Sequence, residues 1–311
     1  MLDAIQRRLN FEGSVNPQFQ RVDGLGRVGV AGFATGLVFG LHLSIIGCSI
    51  AINGLVLSRL LQWSLYVCSV SFFHFSEFFM TALYRPDEVS YKSFVINHSR
   101  EYTGALLASW VEFWLEAFFL PMLKRRPAIA TVGVALVLMG HCFRIGAMWT
   151  AGLNFKHEIM LRREPSHELV THGVYRFFRH PSYFGWFWWS VGTQVLLCNP
   201  LCFVAYAAAA SMFFRRRIPF EEALLKKFYP DEYPEYVSKT FVGIPFLPRS
   251  WSRPSRPHDV AAGVTRHGVA AAPRGGGQER STPVLARQGS GDERCPLYPG
   301  AGDNDGSTDG S

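Results

Sequence analysis

Long apolar runs without a single Asp, Glu, Lys or Arg constrain this chain more than any other feature. Residues 28–58 form one such run of 31 residues, and residues 181–214 form another of 34. A helix of about 20 apolar residues is long enough to cross a bilayer. No strand-like alternation is evident, so we predict an all-α fold, a multi-pass membrane helix bundle.

Further apolar stretches enlarge this bundle. They lie at residues 60–84, 102–123 and 127–143. Asn199-Pro200 interrupts the 181–214 run and predicts a helical hairpin. Asn53-Gly54 is a plausible end for the first helix, so the run at 28–58 is interpreted as one span and the start of another. We expect six to eight spans in total.

Ionisable residues interrupt two of these apolar stretches. They are His74 and Glu77 in residues 60–84, and Glu112 and Glu116 in residues 102–123. Charges inside a membrane are costly and usually face the bundle interior. Polar pairing between helices is the favoured interpretation, and the wall of a polar site is the alternative. The small residues Gly32, Gly36 and Gly40 predict close helix packing, with packing inside the chain as the favoured interpretation and dimerisation as the alternative.

Composition and charge divide the chain into three parts. The last part, residues 250–311, contains no Phe, 7 Arg and 7 acidic residues, and it is predicted to be a disordered tail. Residues 1–25 are predicted to be an N-terminal cytosolic segment, and residues 26–249 the membrane domain. The net charge of +7 lies in basic clusters such as Arg215 to Arg217, which favour the cytosolic side. The stretches 154–180 and 215–249, on either side of the 181–214 hairpin, would then share that side.

Polar and aromatic side chains that suit chemistry are concentrated on either side of the hairpin. His167 to Tyr183 are unusually rich in His, Tyr and Arg, and Pro181 suits the first turn of a helix. Arg217 and Glu221 are four residues apart, so both can project from one helix face, although Pro219 could itself mark that helix's first turn. A guanidinium can hold a carboxylate, and a carboxylate can hold an ammonium group or ribose hydroxyls, so the pair suits two ligands of opposite charge.

Residues 179–194, from Arg-His-Pro-Ser-Tyr through the three tryptophans to Thr-Gln, resemble the isoprenylcysteine carboxyl methyltransferase family. The same family resemblance is carried by shorter motifs at residues 73–77, 97–103, 169–171, 173–175 and 198–200. It extends from about residue 28 to Phe246. The Arg-His-Pro-x-Tyr core also recurs in phospholipid N-methyltransferases and in membrane sterol reductases, so the long match through the hairpin is the more specific signal.

The resemblance implies a multi-pass enzyme of the endoplasmic reticulum membrane. Such an enzyme transfers a methyl group from S-adenosyl-L-methionine to the C-terminal carboxylate of a prenylated cysteine. Its partners would be the lipid bilayer and prenylated CaaX proteins such as small GTPases, with no metal and no nucleic acid. The tail beyond Phe246 matches nothing in the family.

The resemblance also implies the roles of individual residues. The cofactor contacts would be His167, Glu168, Leu169, Val170, Tyr175, His180, Pro181, Ser182, Tyr183 and Glu221. Arg217 would contact the substrate and act in catalysis. Met160 stands where the family has a polar cofactor contact, and Glu222 is the adjacent alternative to Glu221.

Two other function classes remain open from the residues. A phospholipid N-methyltransferase would use the same cofactor corner on an amine, but an amine acceptor favours an acidic residue where this chain has Arg217. A non-catalytic membrane scaffold would not need residues 167–183 to converge with Arg217 and Glu221.

Overall fold

The computed structural model describes residues 24–247, except 55, 97–98 and 166. The predictions for residues 1–23 and for the 250–311 tail therefore lie outside the described residues. The helices are α1 Leu25–Asn53, α2 Arg59–Tyr84, α3 Arg100–Phe119, α4 Pro121–Lys124, α5 Pro127–Ala151, α6 Pro181–Leu197, α7 Pro200–Phe228 and α8 Glu232–Lys239. Short 3₁₀ turns span Pro86–Glu88, Tyr91–Phe94, Gly152–Asn154 and Gly173–Arg176. The all-α prediction is confirmed for the described residues, in which the β-structure is the isolated bridge between Phe178 and Phe241.

Helix α2 shows how polarity is distributed in the bundle. Its buried side includes polar residues such as Gln62, Ser64, Ser69, His74 and Glu77. Its exposed side carries large apolar residues, among them Leu60, Phe72, Phe75, Phe79 and Leu83. A water-soluble protein would reverse this pattern, whereas a bundle whose outer surface faces lipid requires it.

Two of the described helices are long and apolar enough to cross a membrane by length and composition. They span Leu25–Asn53 and Pro127–Asn154. The first ends where the sequence predicted, because Gly54 adopts a φ of 64° and ends the helix.

Helices α5 and α6 pack closely because glycines face the neighbouring backbone. A Cβ built on Gly133 would lie 2.2 Å from the Leu196 nitrogen, and one on Gly140 would lie 2.5 Å from the Trp189 nitrogen. On the opposing helix, a Cβ on Gly185 would lie 2.5 Å from the Arg144 nitrogen. This contact holds the start of α6 against α5.

The prediction that the glycines of α1 pack closely against another helix of this chain was wrong. Gly36 and Gly40 have nothing within 4 Å of a built Cβ, and Gly32 has only the Phe94 ring at 3.8 Å. Gly36 and Gly40 therefore lie on a face of α1 that does not contact its described neighbours. Spacing alone does not identify which helix face meets another helix.

The predicted hairpin is present, and α3 and α4 anchor its turn. Cys198 adopts a left-handed conformation with a φ of 51°. The Lys124 Nζ donates to the Glu116 carboxylate at 2.7 Å and to the Asn199 side chain at 2.7 Å. Lys124 also donates to the carbonyls of Leu197 and Cys198, each at 3.0 Å. One buried ammonium group thereby satisfies carbonyls at the end of α6.

A carboxylate from α3 caps the second arm of the hairpin. Glu112 accepts the backbone N–H groups of Leu201 at 2.8 Å and Cys202 at 2.7 Å, in the first turn of α7. His74 has two partners as well, since it donates to the Phe94 carbonyl and accepts from the Tyr102 hydroxyl. Polar pairing, the favoured interpretation of these buried residues, describes what the structure shows for His74, Glu112 and Glu116.

Helix α7 does not end where the charge-free run ends. It continues as one helix from Pro200 to Phe228, and Pro219 lies inside it rather than in a first turn. The helix therefore runs across the boundary predicted between a hairpin at 181–214 and a segment at 215–249. The continuous helix gives Arg217 and Glu221 the i,i+4 relation that the sequence suggested.

The chain after α8 returns to the base of α6. Phe241 forms a parallel bridge with Phe178, and Val242 and Ile244 enter a core cluster with residues of α6 and α7 such as Phe187 and Phe214. This cluster fixes the start of α6 and the middle of α7 relative to each other.

Candidate active site

The start of α6 and the middle of α7 meet at Tyr183 and Arg217. The Arg217 Nε donates to the Tyr183 hydroxyl at 2.8 Å, and the guanidinium carbon lies 5.5 Å from the centre of the Tyr183 ring. The Arg217 side chain is buried. The predicted function required this juxtaposition of residue 217 with the 180–183 corner.

Tyr183 links Arg217 to Glu221. Its hydroxyl accepts from Arg217 and donates to the Glu221 Oε2 at 2.6 Å. The His180 ring stacks on the Tyr183 ring, with centroids 5.4 Å apart and an angle of 7° between the planes. His180, Tyr183, Arg217 and Glu221 therefore form one cluster.

The two adjacent glutamates of α7 have different surroundings. Glu222 is buried and accepts from the Arg179 Nε at 2.5 Å and from the His180 Nε2 at 3.4 Å. Glu221 keeps 26% of its side chain exposed beside Tyr183. Glu222 thus fastens the 179–180 corner to α7, and Glu221 is the carboxylate that a ligand can reach.

Pro181 and Ser182 are buried in the first turn of α6. Pro181 occupies the first helical position, where its missing N–H group costs no hydrogen bond. The Ser182 hydroxyl accepts a short hydrogen bond from the Arg144 Nη1. Ser182 is therefore engaged by α5 and orients the start of the helix.

A group of tyrosines holds residues 167–175. The Tyr229 hydroxyl donates to the His167 carbonyl at 3.0 Å, and the Tyr236 hydroxyl donates to the Tyr175 carbonyl at 2.7 Å. Leu169 packs on the buried cluster of tyrosines 229, 233 and 236. The end of α7 and helix α8 thereby position this loop.

The other predicted loop residues are more open. The Glu168 N–H donates to the Asn154 Oδ1 at 3.2 Å, and the Glu168 side chain is exposed. Val170 and Met160 are half-buried.

Burial lowers the pKa of His167, with Glu164 acting in the opposite direction, which favours a neutral imidazole at neutral pH. Burial raises the pKa of the Tyr175 hydroxyl, and nearby Glu221 raises it further.

Sequence reasoning missed Arg144 and His157 at this site. Arg144 forms a bidentate ion pair with Glu77, and His157 donates to the same carboxylate. The available signal was that Arg144 is the first charge after the apolar run 127–143. The partner of Arg144 could not be predicted from the sequence, because a single buried arginine could pair with an acidic residue on any neighbouring helix.

Two buried polar atoms near the corner lack a hydrogen-bond partner within the described residues. They are the Glu222 Oε2 and the Tyr233 hydroxyl. The described residues contain no group of three or more His, Cys, Asp or Glu side chains placed to bind a metal ion.

Comparison with known proteins places this chain in one family. The model of the isoprenylcysteine carboxyl methyltransferase (ICMT) family matches residues 132–227, which include Arg144, Tyr183 and Arg217. Protein-S-isoprenylcysteine O-methyltransferase B of Arabidopsis thaliana is 42% identical over 180 residues, covering 58% of this chain and 90% of that protein. The chain belongs to the isoprenylcysteine carboxyl methyltransferase family.

Other members of the ICMT family are also similar. The human protein-S-isoprenylcysteine O-methyltransferase is 50% identical over 182 residues, and the match covers 58% of this chain but only 64% of the human protein. A solved structure described as the eukaryotic intramembrane Ras methyltransferase ICMT matches with a TM-score of 0.63 and 43% identity, over 68% of this chain and 74% of that one. The exposed apolar surface of the bundle agrees with an intramembrane protein.

Proposed function

We propose that this chain is an S-adenosyl-L-methionine-dependent methyltransferase of the endoplasmic reticulum membrane. It esterifies the C-terminal prenylcysteine carboxylate of CaaX-processed proteins, such as small GTPases. The observation that carries the proposal is the hydrogen-bonded junction of Arg217 with the 180–183 corner through Tyr183. It places a cation suited to an acidic chain end beside the corner that the family resemblance assigns to the methyl donor.

Arg217 binds and orients the acceptor carboxylate. A guanidinium presents parallel N–H groups that match the two oxygens of a carboxylate. Tyr183 and the His157 carbonyl hold the direction of this group, the latter at 2.6 Å from the Arg217 Nη2. A carboxylate is ionised at neutral pH and is already a nucleophile, so this site needs no general base.

An apolar surface adjoins Arg217 and suits a prenyl chain. The Phe213 ring lies 5.8 Å from the Arg217 guanidinium carbon and is 44% exposed. Ala209 and Tyr206, four and seven residues earlier on α7, lie on the same helix face, and they are exposed and half-buried respectively. Each methylene of the prenyl chain that is buried contributes about 0.8 kcal/mol to the binding free energy, so an apolar surface that faces lipid stabilises the bound acceptor.

The residues at the corner fit a polar methyl donor. The reachable Glu221 carboxylate suits an ammonium group or ribose hydroxyls, and the buried Glu222 Oε2 accepts no hydrogen bond from the described protein. Residues 167–170, Tyr175, 180–183 and Glu221 would hold the donor. When bound, S-adenosyl-L-methionine would supply an electrophilic methyl group, and methyl esterification of an ionised carboxylate would need no proton transfer.

The protein contributes chiefly by positioning. Holding a carboxylate oxygen in line with a methyl group, with water excluded, removes an entropic barrier of about 7–11 kcal/mol. The buried guanidinium and the stacked His180 and Tyr183 rings fix the two sides of such a site. A phospholipid N-methyltransferase would place an acidic group where Arg217 lies, so an amine acceptor fits this site less well.

The test is a methylation assay on membranes that contain this chain. The membranes are incubated with labelled S-adenosyl-L-methionine and N-acetyl-farnesylcysteine, and membranes without the chain serve as the control. We expect a base-labile methyl ester of the farnesylcysteine. Label in phosphatidylethanolamine derivatives would support lipid N-methylation instead, and no chain-dependent label would contradict both activities.

A further inference from the structure

One buried carboxylate connects the two sides of the candidate active site. The Glu77 side chain is fully buried in α2. Its Oε1 accepts from the Arg144 Nε at 2.7 Å, and its Oε2 accepts from the Arg144 Nη2 at 2.8 Å. Two parallel charge-assisted hydrogen bonds fix both the distance and the plane of this pair.

The first connection from Glu77 runs to the 180–183 corner. Arg144 uses its remaining terminal nitrogen, Nη1, to donate to the Ser182 hydroxyl, and it lies 3.5 Å from the Ser182 carbonyl. The guanidinium carbon also lies 5.7 Å from the Phe155 ring centre. Glu77 therefore orients the start of α6 through Arg144.

The second connection runs to Arg217. The His157 Nε2 donates to the Glu77 Oε2 at 2.7 Å, and the His157 carbonyl accepts from the Arg217 Nη2 at 2.6 Å. The Phe155 ring meets the His157 ring edge-on, with centroids 5.2 Å apart. The side chain of His157 is thus fixed by Glu77, and the backbone carbonyl of His157 fixes the Arg217 guanidinium.

This arrangement couples a buried ion pair to a binding group. A charge in the bundle interior is costly unless it is paired, so Glu77 and Arg144 have one strongly preferred geometry. The side chain of His157 is 36% exposed and would sample several rotamers without Glu77. The hydrogen bond to Glu77 restricts the loop at residue 157, and the loop restricts the direction of the Arg217 guanidinium.

We propose that His157, held by Glu77, is a positioning residue that aims Arg217 at the acceptor carboxylate. The inference rests on the proposed function, because it assigns His157 to the acceptor side of that reaction. His157 touches neither reacting atom in this role. It acts by keeping its own carbonyl 2.6 Å from Arg217.

The variant that tests this is His157→Ala, which keeps the backbone carbonyl and removes the anchor to Glu77. Replacing Glu77 itself would leave Arg144 charged and buried without a carboxylate, which endangers folding. His157→Gln is the rescue variant, because an amide N–H can replace the Nε2 donor to Glu77. Glu158→Gln is the matched control, since Glu158 is the exposed neighbour on the same loop.

We expect His157→Ala to lower kcat/KM for N-acetyl-farnesylcysteine about tenfold or more, the size of one lost hydrogen bond to a charged group. The KM for S-adenosyl-L-methionine should stay within about twofold of the wild-type value. His157→Gln should recover most of the loss, and Glu158→Gln should behave as wild type. Equal losses toward both substrates, or no recovery with glutamine, would overturn the proposal.

A double-mutant cycle separates positioning from general damage. If His157 acts through Arg217, His157→Ala should have little further effect in an Arg217→Lys background. Full additivity of the two losses would contradict the coupling. If the wild-type chain forms no ester, the proposed function fails, and the melting temperatures of the same four proteins decide the coupling instead. Non-additive melting temperatures support it, and additive ones refute it.

Discussion

At the scale of single residues, Tyr183 determines how near two opposite charges come to each other. Its hydroxyl accepts from Arg217 and donates to Glu221, so the cation and the carboxylate are separated by one oxygen atom rather than paired directly. A direct ion pair between Arg217 and Glu221 would satisfy both charges, so neither group would attract a ligand of opposite charge. The bridging hydroxyl leaves one side of the cluster suited to an anion and the other to a cation or to hydroxyl groups.

The first prediction concerns Arg217. Arg217→Ala should lower kcat/KM for N-acetyl-farnesylcysteine about tenfold to a hundredfold, because a charge-assisted hydrogen bond to the acceptor is lost. Binding of S-adenosylhomocysteine, measured by calorimetry on the purified protein, should change less than about threefold. Equal loss of acceptor use and nucleoside binding would contradict the assignment of Arg217 to the acceptor.

The second prediction separates the adjacent glutamates. Glu222→Ala removes the carboxylate that pairs with the buried Arg179 and should lower the free energy of unfolding by about 3 kcal/mol, seen as a lower melting temperature in detergent. Glu221→Ala should melt close to wild type but bind S-adenosylhomocysteine about tenfold more weakly. The reverse pattern, with Glu221 stabilising and Glu222 binding, would exchange their roles.

At the scale of helices, the junction of α5 with α6 is the contact that positions the candidate site. Gly133 and Gly140 face backbone atoms of α6, and Gly185 faces the backbone of α5 beside Arg144. The spacing of seven residues between Gly133 and Gly140 returns both to one helix face. Any widening of this contact would move Arg144 away from Ser182 and disturb the start of α6.

The third prediction follows from this contact. Gly133→Ala would place a Cβ 2.2 Å from the Leu196 nitrogen, so the helices must separate. We expect a destabilisation of about 1–3 kcal/mol, typical of overpacking, together with reduced methyl transfer. Gly36→Ala is the control, because a Cβ there meets nothing within 4 Å. Equal melting temperatures for the two variants would show that α5 and α6 are not closely packed.

Helices also show where sequence reasoning ends. The turn at Cys198-Asn199 was predictable, because Asn-Pro interrupts an apolar run. The continuation of α7 through Pro219 was not, since proline inside a helix removes a hydrogen bond and usually ends it. Here Ile218, fully buried with Phe214, packs the helix before the proline, and the buried Glu222, which accepts from Arg179, holds it after the proline.

At the scale of the whole molecule, the candidate site depends on the chain returning to it after α8. Arg179 donates from its backbone to the Phe241 carbonyl at 3.0 Å and from its side chain to the Thr240 carbonyl at 3.1 Å. Trp188 donates to the Gly243 carbonyl at 3.3 Å. Residues 240–247 therefore pack against the start of α6 and support the 179–183 corner.

The fourth prediction compares two truncations. Removing residues 250–311 should leave kcat/KM for methyl transfer within about twofold of wild type. The residues that contact Arg179 and Trp188 all precede residue 250, so they remain in this truncated protein. Removing residues 240–311 should abolish activity and lower the melting temperature, since it also removes the partners of Arg179 and Trp188. Loss of activity with the shorter deletion would assign a role to the tail.

The whole molecule also explains which parts of the site were foreseeable. The convergence of residues 180–183 with Arg217 and Glu221 followed from the hairpin, because its two arms return to one end of the bundle. The link from Glu77 to His157 joins residues 80 positions apart. This link depends on how α2 is rotated about its axis relative to α5. The hydrophobic pattern of the sequence does not predict that rotation, because α2 buries a polar face.

The anchored turn at Asn199 has a consequence for the depth of the candidate site within a membrane. Seventeen residues of α7 separate Pro200 from Arg217, a rise of about 26 Å, comparable to the hydrocarbon thickness of a bilayer. Because Glu112 and Lys124 fix the far end of α7, the protein itself sets the height of Arg217 within a membrane. In membranes with longer or shorter acyl chains, we expect the helix bundle to tilt or the bilayer to deform, while the height of Arg217 along the bundle stays the same.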